Sequence, residues 1–162
     1  MKNSTTLVCS IILLLTVSMF QVIPSNAQPP AISINQIYWG SSTNTVEPKP
    51  GDENQILNVV IQNIDTVDIT SVNAKLYLSK TPFTTPTGET VAYAGTTSIL
   101  VGQSQVLTFI LNIDPDAELK TYTLTMDITS LTVKYSTGVT STVDIPVQLS
   151  GEVQMLTSMT PQ

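Results

Sequence analysis

The sequence predicts an all-β chain, a Greek-key sandwich of about seven strands behind an N-terminal export segment. Three observations lead there. Apolar residues alternate with Thr, Ser, Asn and Gln in runs of strand length. Turn residues (Gly, Pro, Asn and Asp) punctuate those runs at regular spacing. No stretch after residue 27 sustains a helical period. Hydrophobic residues make up 41% of the 162 and mean hydropathy is +0.21, enough for one packed core. Charged residues are only 11%, against about 25% in an ordinary soluble protein. Uncharged polar groups fill the gap, and Thr in particular suits outward strand positions.

Residues 1–27 read as a signal peptide. Lys2 gives a short positive start, Leu7 to Phe20 is largely apolar, and Ser25-Asn26-Ala27 is a small-residue cleavage site. The alternative is an uncleaved anchor, since Leu7 to Ile23 reaches the lower limit of about 17 residues for a span; membrane contact is expected only through that segment. Cys9 is the single cysteine and lies inside it, too early for a lipoprotein signal. The mature chain is therefore expected to have neither thiol nor disulfide, and to depend on sheet packing. Cleavage removes Lys2 and takes the formal charge from −6 to −7. An acidic chain without arginine cannot neutralise a phosphate backbone, which excludes nucleic acid as a partner.

Residues 28–33 form a short leader, residues 34–150 the sandwich, and residues 151–162 a frayed tail. The first strand runs from about Ala31 to Tyr38, with Ile32, Ile34 and Tyr38 on one face. Pro48, Pro50 and Gly51 then turn the chain into a second strand, Gln55 to Ile64. Its Leu57, Val59 and Ile61 lie on one face and Ile56, Val60 and Ile64 on the other, the pattern of a central strand. In the third, Ser71 to Ser79, Val72, Ala74, Leu76 and Leu78 point inward and Asn73, Lys75 and Tyr77 outward. Pro82 and Pro86 keep the next loop out of regular pairing. A short fourth strand, Thr90 to Thr97, precedes a fifth with Leu107, Phe109, Leu111 and Ile113 inward. In Thr121 to Tyr135 the apolar residues fall on even positions to Ile128 and on odd positions from Leu131, which predicts a β-bulge near Ser130. Ser136-Thr137-Gly138 is expected to turn into a last strand where Val143, Ile145, Val147 and Leu149 share a face. Pro146 marks that strand as an edge or a bulge.

Pro-Gly-Asp at residues 50–52, a strand ending Gln62-Asn63, Leu76-Tyr77-Leu78-Ser79, Val101-Gly102-Gln103-Ser104 and Thr121-Tyr122-Thr123-Leu124-Thr125 follow one another in a familiar order. From about Ile34 to Leu149 the chain resembles immunoglobulin-like domains of the CARDB and NEW3 type, common in archaeal S-layer-associated and other secreted cell-surface proteins. The sequence departs from that pattern at Asn63-Ile64-Asp65, where Asn-x-Gly is usual, and at Lys120, where Gly often precedes the Tyr. The resemblance implies an immunoglobulin-like sandwich, a location outside the cell, and an accessory, adhesive or structural role.

No catalytic constellation is legible. After residue 27 there is no His, Cys or Arg, so nucleophile–His pairs and His-ligated metals are excluded, and a non-enzymatic protein is expected. Asp114, Asp116 and Glu118 alternate after the fifth strand and could supply oxygens to Ca²⁺; the competing reading is a solvated turn bent by Pro115. Sandwich topology does not require Asp52 and Glu53 to lie near them. Tyr38 and Trp39 could stack on a glycan or anchor a protein partner, but neighbours in a strand point to opposite faces, which makes one of them core. Tyr122 fits a tyrosine corner. The first strand either pairs within its own domain or is donated to a neighbouring subunit. The expectation is a secreted cell-surface structural or interaction module that self-associates or binds a protein partner, with glycan or a membrane complex as the alternative ligand.

Overall fold

The computed structural model describes residues 32–133 and 135–151. Residues 1–27, where export is expected to be encoded, with Cys9, the first leader residues and the tail after Gly151 lie outside them. Every strand pairing is antiparallel, and no helix is found among the described residues. β1 (Ile32–Trp39), β2 (Gln55–Asn63), β6 (Ser104–Ile113) and the two-residue β4 (Phe83–Thr84) form a first sheet in the order β1-β2-β6-β4. β5 (Val91–Thr96), β3 (Ile69–Tyr77), β7 (Thr121–Thr132) and β8 (Tyr135–Gln148) form the second, in the order β5-β3-β7-β8. The chain changes sheet at every step from β2 to β7, crossing briefly to β4 between β3 and β5, so each sheet interleaves early and late strands. This is a sandwich of the expected class with seven full strands, and β4 is a short addition from the Pro-rich loop.

Alternation sets the core. Leu57, Val59 and Ile61 of β2 and Leu107, Phe109 and Leu111 of β6 are buried. They face Val72, Ala74 and Leu76 of β3, Leu124, Met126 and Ile128 of β7, and Ile145 and Val147 of β8. Each side chain buried in this way contributes roughly 1.5–3 kcal/mol. β2 is central in its sheet, flanked by β1 and β6, but of its two apolar faces only the one carrying Leu57, Val59 and Ile61 is buried, and Ile56 on the other is exposed.

Two local expectations are corrected. Register slips at Asn35 in β1, between Ile34 and Gln36, so Ile32 and Ile34 pack inward, then Ile37 and Trp39, while Tyr38 turns outward. A bulge of one residue moves every later side chain to the opposite face. In β7 the phase never changes: Ser130 and Thr132 take the inward positions, Leu131 and Val133 the outward ones. The irregularity lies in the partners, an extra residue at Thr70 of β3 and a wider one in β8 before Val139. Thr132 pairs with Tyr135, so the hairpin turns at once and Ser136-Thr137-Gly138 belong to β8.

β1 pairs with β2 of its own chain along its whole length, from Ile32 opposite Asn63 to Trp39 opposite Leu57. Pro146 lies on β8, an edge strand that pairs only with β7, where a missing N–H is tolerated.

Candidate functional site

Trp39 closes β1 on the inward face and is 6% exposed. Its ring stands 6.0 Å from Phe83, which meets Tyr122 edge-on at 5.4 Å. Its Nε1 donates to the carbonyl of Gln148 at 3.1 Å. Tyr38 is half-buried on the outer face, beside Asn58 of β2. The two rings therefore do not form a joint platform: Trp39 is core.

The acidic loop is a turn that satisfies itself. Asp114 accepts the N–H of Asp116 at 2.8 Å, and its carbonyl accepts that of Ala117 at 3.1 Å. Glu118 pairs with Lys120, whose ammonium holds its carboxyl below the usual range and lies 5.2 Å over the Tyr122 ring. The Tyr122 hydroxyl donates to the Glu118 carbonyl at 2.9 Å, the tyrosine corner read from the sequence. The opening turn does reach this loop, because Gly51 and Asp52 bond Ile113 through the backbone. The Asp52 carboxylate is folded back onto the N–H of Lys49 at 2.8 Å. Among the described residues, no three of His, Cys, Asp and Glu converge where a metal ion could sit. Asp114, Asp116 and Glu118 lie in a self-bonded turn in which their carboxylates do not converge on one point.

The chemistry of the molecule lies on its two outer faces, which differ sharply. On the second sheet, Asp127 accepts from the Tyr77 hydroxyl at 2.8 Å and from Thr142 at 2.6 Å. Thr125 donates to Asp144 at 2.8 Å, and the hydroxyls of Thr129 and Thr140 meet at 2.7 Å. The bonds from Thr142 and Tyr77 hold the Asp127 carboxyl below its ordinary value, and the same acid raises the Tyr77 phenol. Lys75 stands between Tyr93 and Asp127 in the register. Beside this lattice a cleft of ≈ 330 Å³ is lined by Asn73, Lys75, Tyr93, Gly95 and Thr129. Tyr93 is 66% exposed. An open aromatic ring beside an amide, an ammonium and a hydroxyl can stack on one face of a polar ligand and bond its hydroxyls.

The outer face of the first sheet carries no charge: β1, β2, β4 and β6 contain no Asp, Glu, Lys or Arg. Ile56 stands opposite Ile110 and Val60 opposite Val106, with Asn58 opposite Thr108 between the two rows. Ile56, Val106 and Ile110 are exposed. The polar groups among them are already paired. Thr108 donates to Asn58 at 2.8 Å and Asn58 to the Gly40 carbonyl at 2.6 Å. Asn35 donates to Gln62 at 3.0 Å and Gln62 to the Gly102 carbonyl at 2.9 Å.

A third feature, a cleft of ≈ 430 Å³, opens where Asn35 and Gln36 of β1 come beside Asp144 and Pro146 of β8. Sequence alternation marks Tyr77, Lys75 and Asn73 as outward, but which strands bring Tyr93 and Asp127 beside them is a matter of pairing, which alternation does not encode. No family model matches the chain, and no curated protein matches it.

Proposed function

We propose that the chain is a non-catalytic extracellular module, a structural or interaction protein of the cell surface that works through the faces of its sandwich. The observation that carries this reading is the outer face of β1, β2 and β6: uncharged in an acidic chain, with exposed isoleucines and valine and with its amides already paired. Apolar surface left open beside satisfied polar groups is cheap to bury, and that is what an interface requires. The export segment in residues 1–27, and the resemblance to CARDB-type modules, support the location.

The test uses single cysteines in a Cys9→Ser background. Val106→Cys sits on the uncharged face and Tyr93→Cys on the opposite one. With a membrane-impermeant maleimide on intact producing cells, Tyr93→Cys is expected to label and Val106→Cys to be protected until the surface is solubilised. Equal labelling of both overturns the interaction reading. Labelling of neither until the cells are broken overturns the location.

A second reading has its own observation. The Tyr93 ring beside Lys75, Asn73 and Thr129 suits a glycan, with the sugar ring on the tyrosine and its hydroxyls on the amide, the ammonium and the threonine.

A further inference from the structure

We infer that the occupant of the uncharged face is a second copy of this chain, packed face to face about a two-fold axis. The inference rests on the reading that this face is an interaction surface, and it names the partner.

Charge is the first argument. The chain carries a formal net charge of −6, so two copies repel least when they meet where neither presents a carboxylate. β1, β2 and β6 offer such a surface, whereas the second sheet presents Asp127 and Asp144. A basic partner would gain nothing from a face without acids, and an acidic chain has other surfaces with which to attract one.

Shape is the second. The face consists of three rows: Ile56–Ile110, Asn58–Thr108 and Val60–Val106. A two-fold axis lying along the middle row places the isoleucine row of each copy over the valine row of the other. Large side chains then meet smaller ones, and the sheets stack at the ~10 Å spacing and near-aligned strand directions of ordinary sandwiches. The middle row meets itself. Asn58 already bonds Thr108 and Gly40 and is only 6% exposed, so covering it removes little further water from its amide.

Area is the third. Three strands of about nine residues, at ~3.3 Å per residue and ~4.8 Å between strands, give a plan area of about 400 Å² per copy. With side-chain relief the pair buries on the order of 1,200 Å², the lower end of specific interfaces. The dimer is therefore expected to form at micromolar chain concentration rather than to be obligate.

The experiment is the molar mass of the purified protein by size exclusion with light scattering across a concentration series, at low and moderate salt. The expected result is twice the chain mass at the upper concentrations, slightly favoured by salt because screening relieves the net charge. Ile110→Lys and, independently, Val106→Lys place an unpaired cation at the seam and are each expected to weaken association about a hundredfold or more. Both positions are exposed, so each variant keeps native circular dichroism and the emission of buried Trp39. Tyr93→Lys, on the other face, leaves the dimer intact. A single-chain mass at every concentration, or a dimer that survives both lysines, overturns the inference. If that single-chain mass is found while Val106→Cys remains protected on cells, the second copy is ruled out and the interaction reading stands.

Discussion

The indole Nε1 of Trp39 donates to the Gln148 carbonyl at 3.1 Å, tying the end of β1 in one sheet to the end of β8 in the other. The ring beneath that bond packs on Phe83 of β4 in its own sheet, and Phe83 in turn meets Tyr122 of β7, so Trp39 reaches the second sheet directly through its polar part and through Phe83 by its apolar part. Trp39→Phe keeps most of the packing and loses the bond, at an expected cost of about 1 kcal/mol. Trp39→Ala also opens a cavity and is expected to cost about 3–5 kcal/mol. Urea denaturation followed by circular dichroism measures both. Near-equal midpoints for the unaltered protein and Trp39→Ala would sink this assignment.

Asn63 is wholly buried and performs the work of a turn. Its Nδ2 donates to the carbonyls of Ile99 at 3.0 Å and Val67 at 2.9 Å, and its Oδ1 accepts the N–H of Asp65 at 3.0 Å. Asn63→Ala leaves three backbone groups without their partner and is expected to cost about 2–4 kcal/mol. Asn63→Asp turns a carboxylate toward two carbonyls and should be the more damaging near neutral pH, recovering in part as the pH falls. The urea midpoints of both variants at pH 4 and pH 7 decide it; a larger loss for Asp at pH 4 contradicts the account.

Alternation in β2, β3, β6 and β8 was enough to place the core, because one buried face imposes a period of two. It misled at two points. In β1 the slip at Asn35 exchanges Tyr38 for Trp39, and nothing local marks it, since a bulge without glycine leaves no compositional trace. In β7 the apolar Leu131 suggests a phase change, yet Ser130 points inward and its hydroxyl donates to Val139 at 3.4 Å. A small buried polar residue with a backbone partner looks like an outward one in a hydropathy pattern. Both candidate faces depend on which strands are neighbours. Ile56 opposite Ile110 and Lys75 opposite Tyr93 are facts of pairing between distant segments, and turn residues do not specify them.

The Tyr77–Asp127–Thr142 group gives a pH dependence with a definite sign. Asp127 is held below 3.8 by Thr142 and then Tyr77, so its contribution is present above that value and lost as the pH falls through the lower folded value. Tyr77 is raised above 10.0, chiefly by its bond to Asp127, so its contribution is present below that value and lost as the pH rises through the raised one. Asp127→Asn should flatten both limbs, with its deficit relative to the unaltered protein greatest between them, where both contributions are present. Urea midpoints from pH 2 to pH 11 show this, and parallel curves for the two proteins would refute it. The group is exposed, so the difference should shrink in high salt.

Two glycines separate close approach from backbone conformation. A Cβ on Gly95 would stand 2.9 Å from the Val72 carbonyl and 3.3 Å from the Asn73 amide oxygen, so Gly95→Ala must push β5 off β3. Gly102 has φ +75° and open space around it, so Gly102→Ala meets only the left-handed penalty of roughly 1–2 kcal/mol. Gly95→Ala is expected to cost about 1–3 kcal/mol and, unlike Gly102→Ala, to speed amide exchange along β5. Equal protection of β5 in the two variants would show that β5 does not need the glycine.

Tyr93 tests the glycan reading without disturbing the fold. It is 66% exposed on an edge strand, so Tyr93→Ala should change stability by no more than about 0.5 kcal/mol. A sugar stacked on that ring would lose its main apolar contact, while Lys75, Asn73 and Thr129 still offered hydrogen bonds. The probe is a neutral β-1,4-linked N-acetylglucosamine hexasaccharide, titrated by nuclear magnetic resonance against the labelled protein. Shifts are expected in the amides of Asn73, Lys75, Tyr93 and Gly95, with affinity reduced about tenfold in Tyr93→Ala, the value of roughly 1.4 kcal/mol of aromatic contact. Tyr38→Ala, on the opposite sheet, should bind like the unaltered protein. If the hexasaccharide moves no amide on this face, or binds Tyr93→Ala as tightly, the glycan reading fails. The uncharged face would then be the surface through which the module acts.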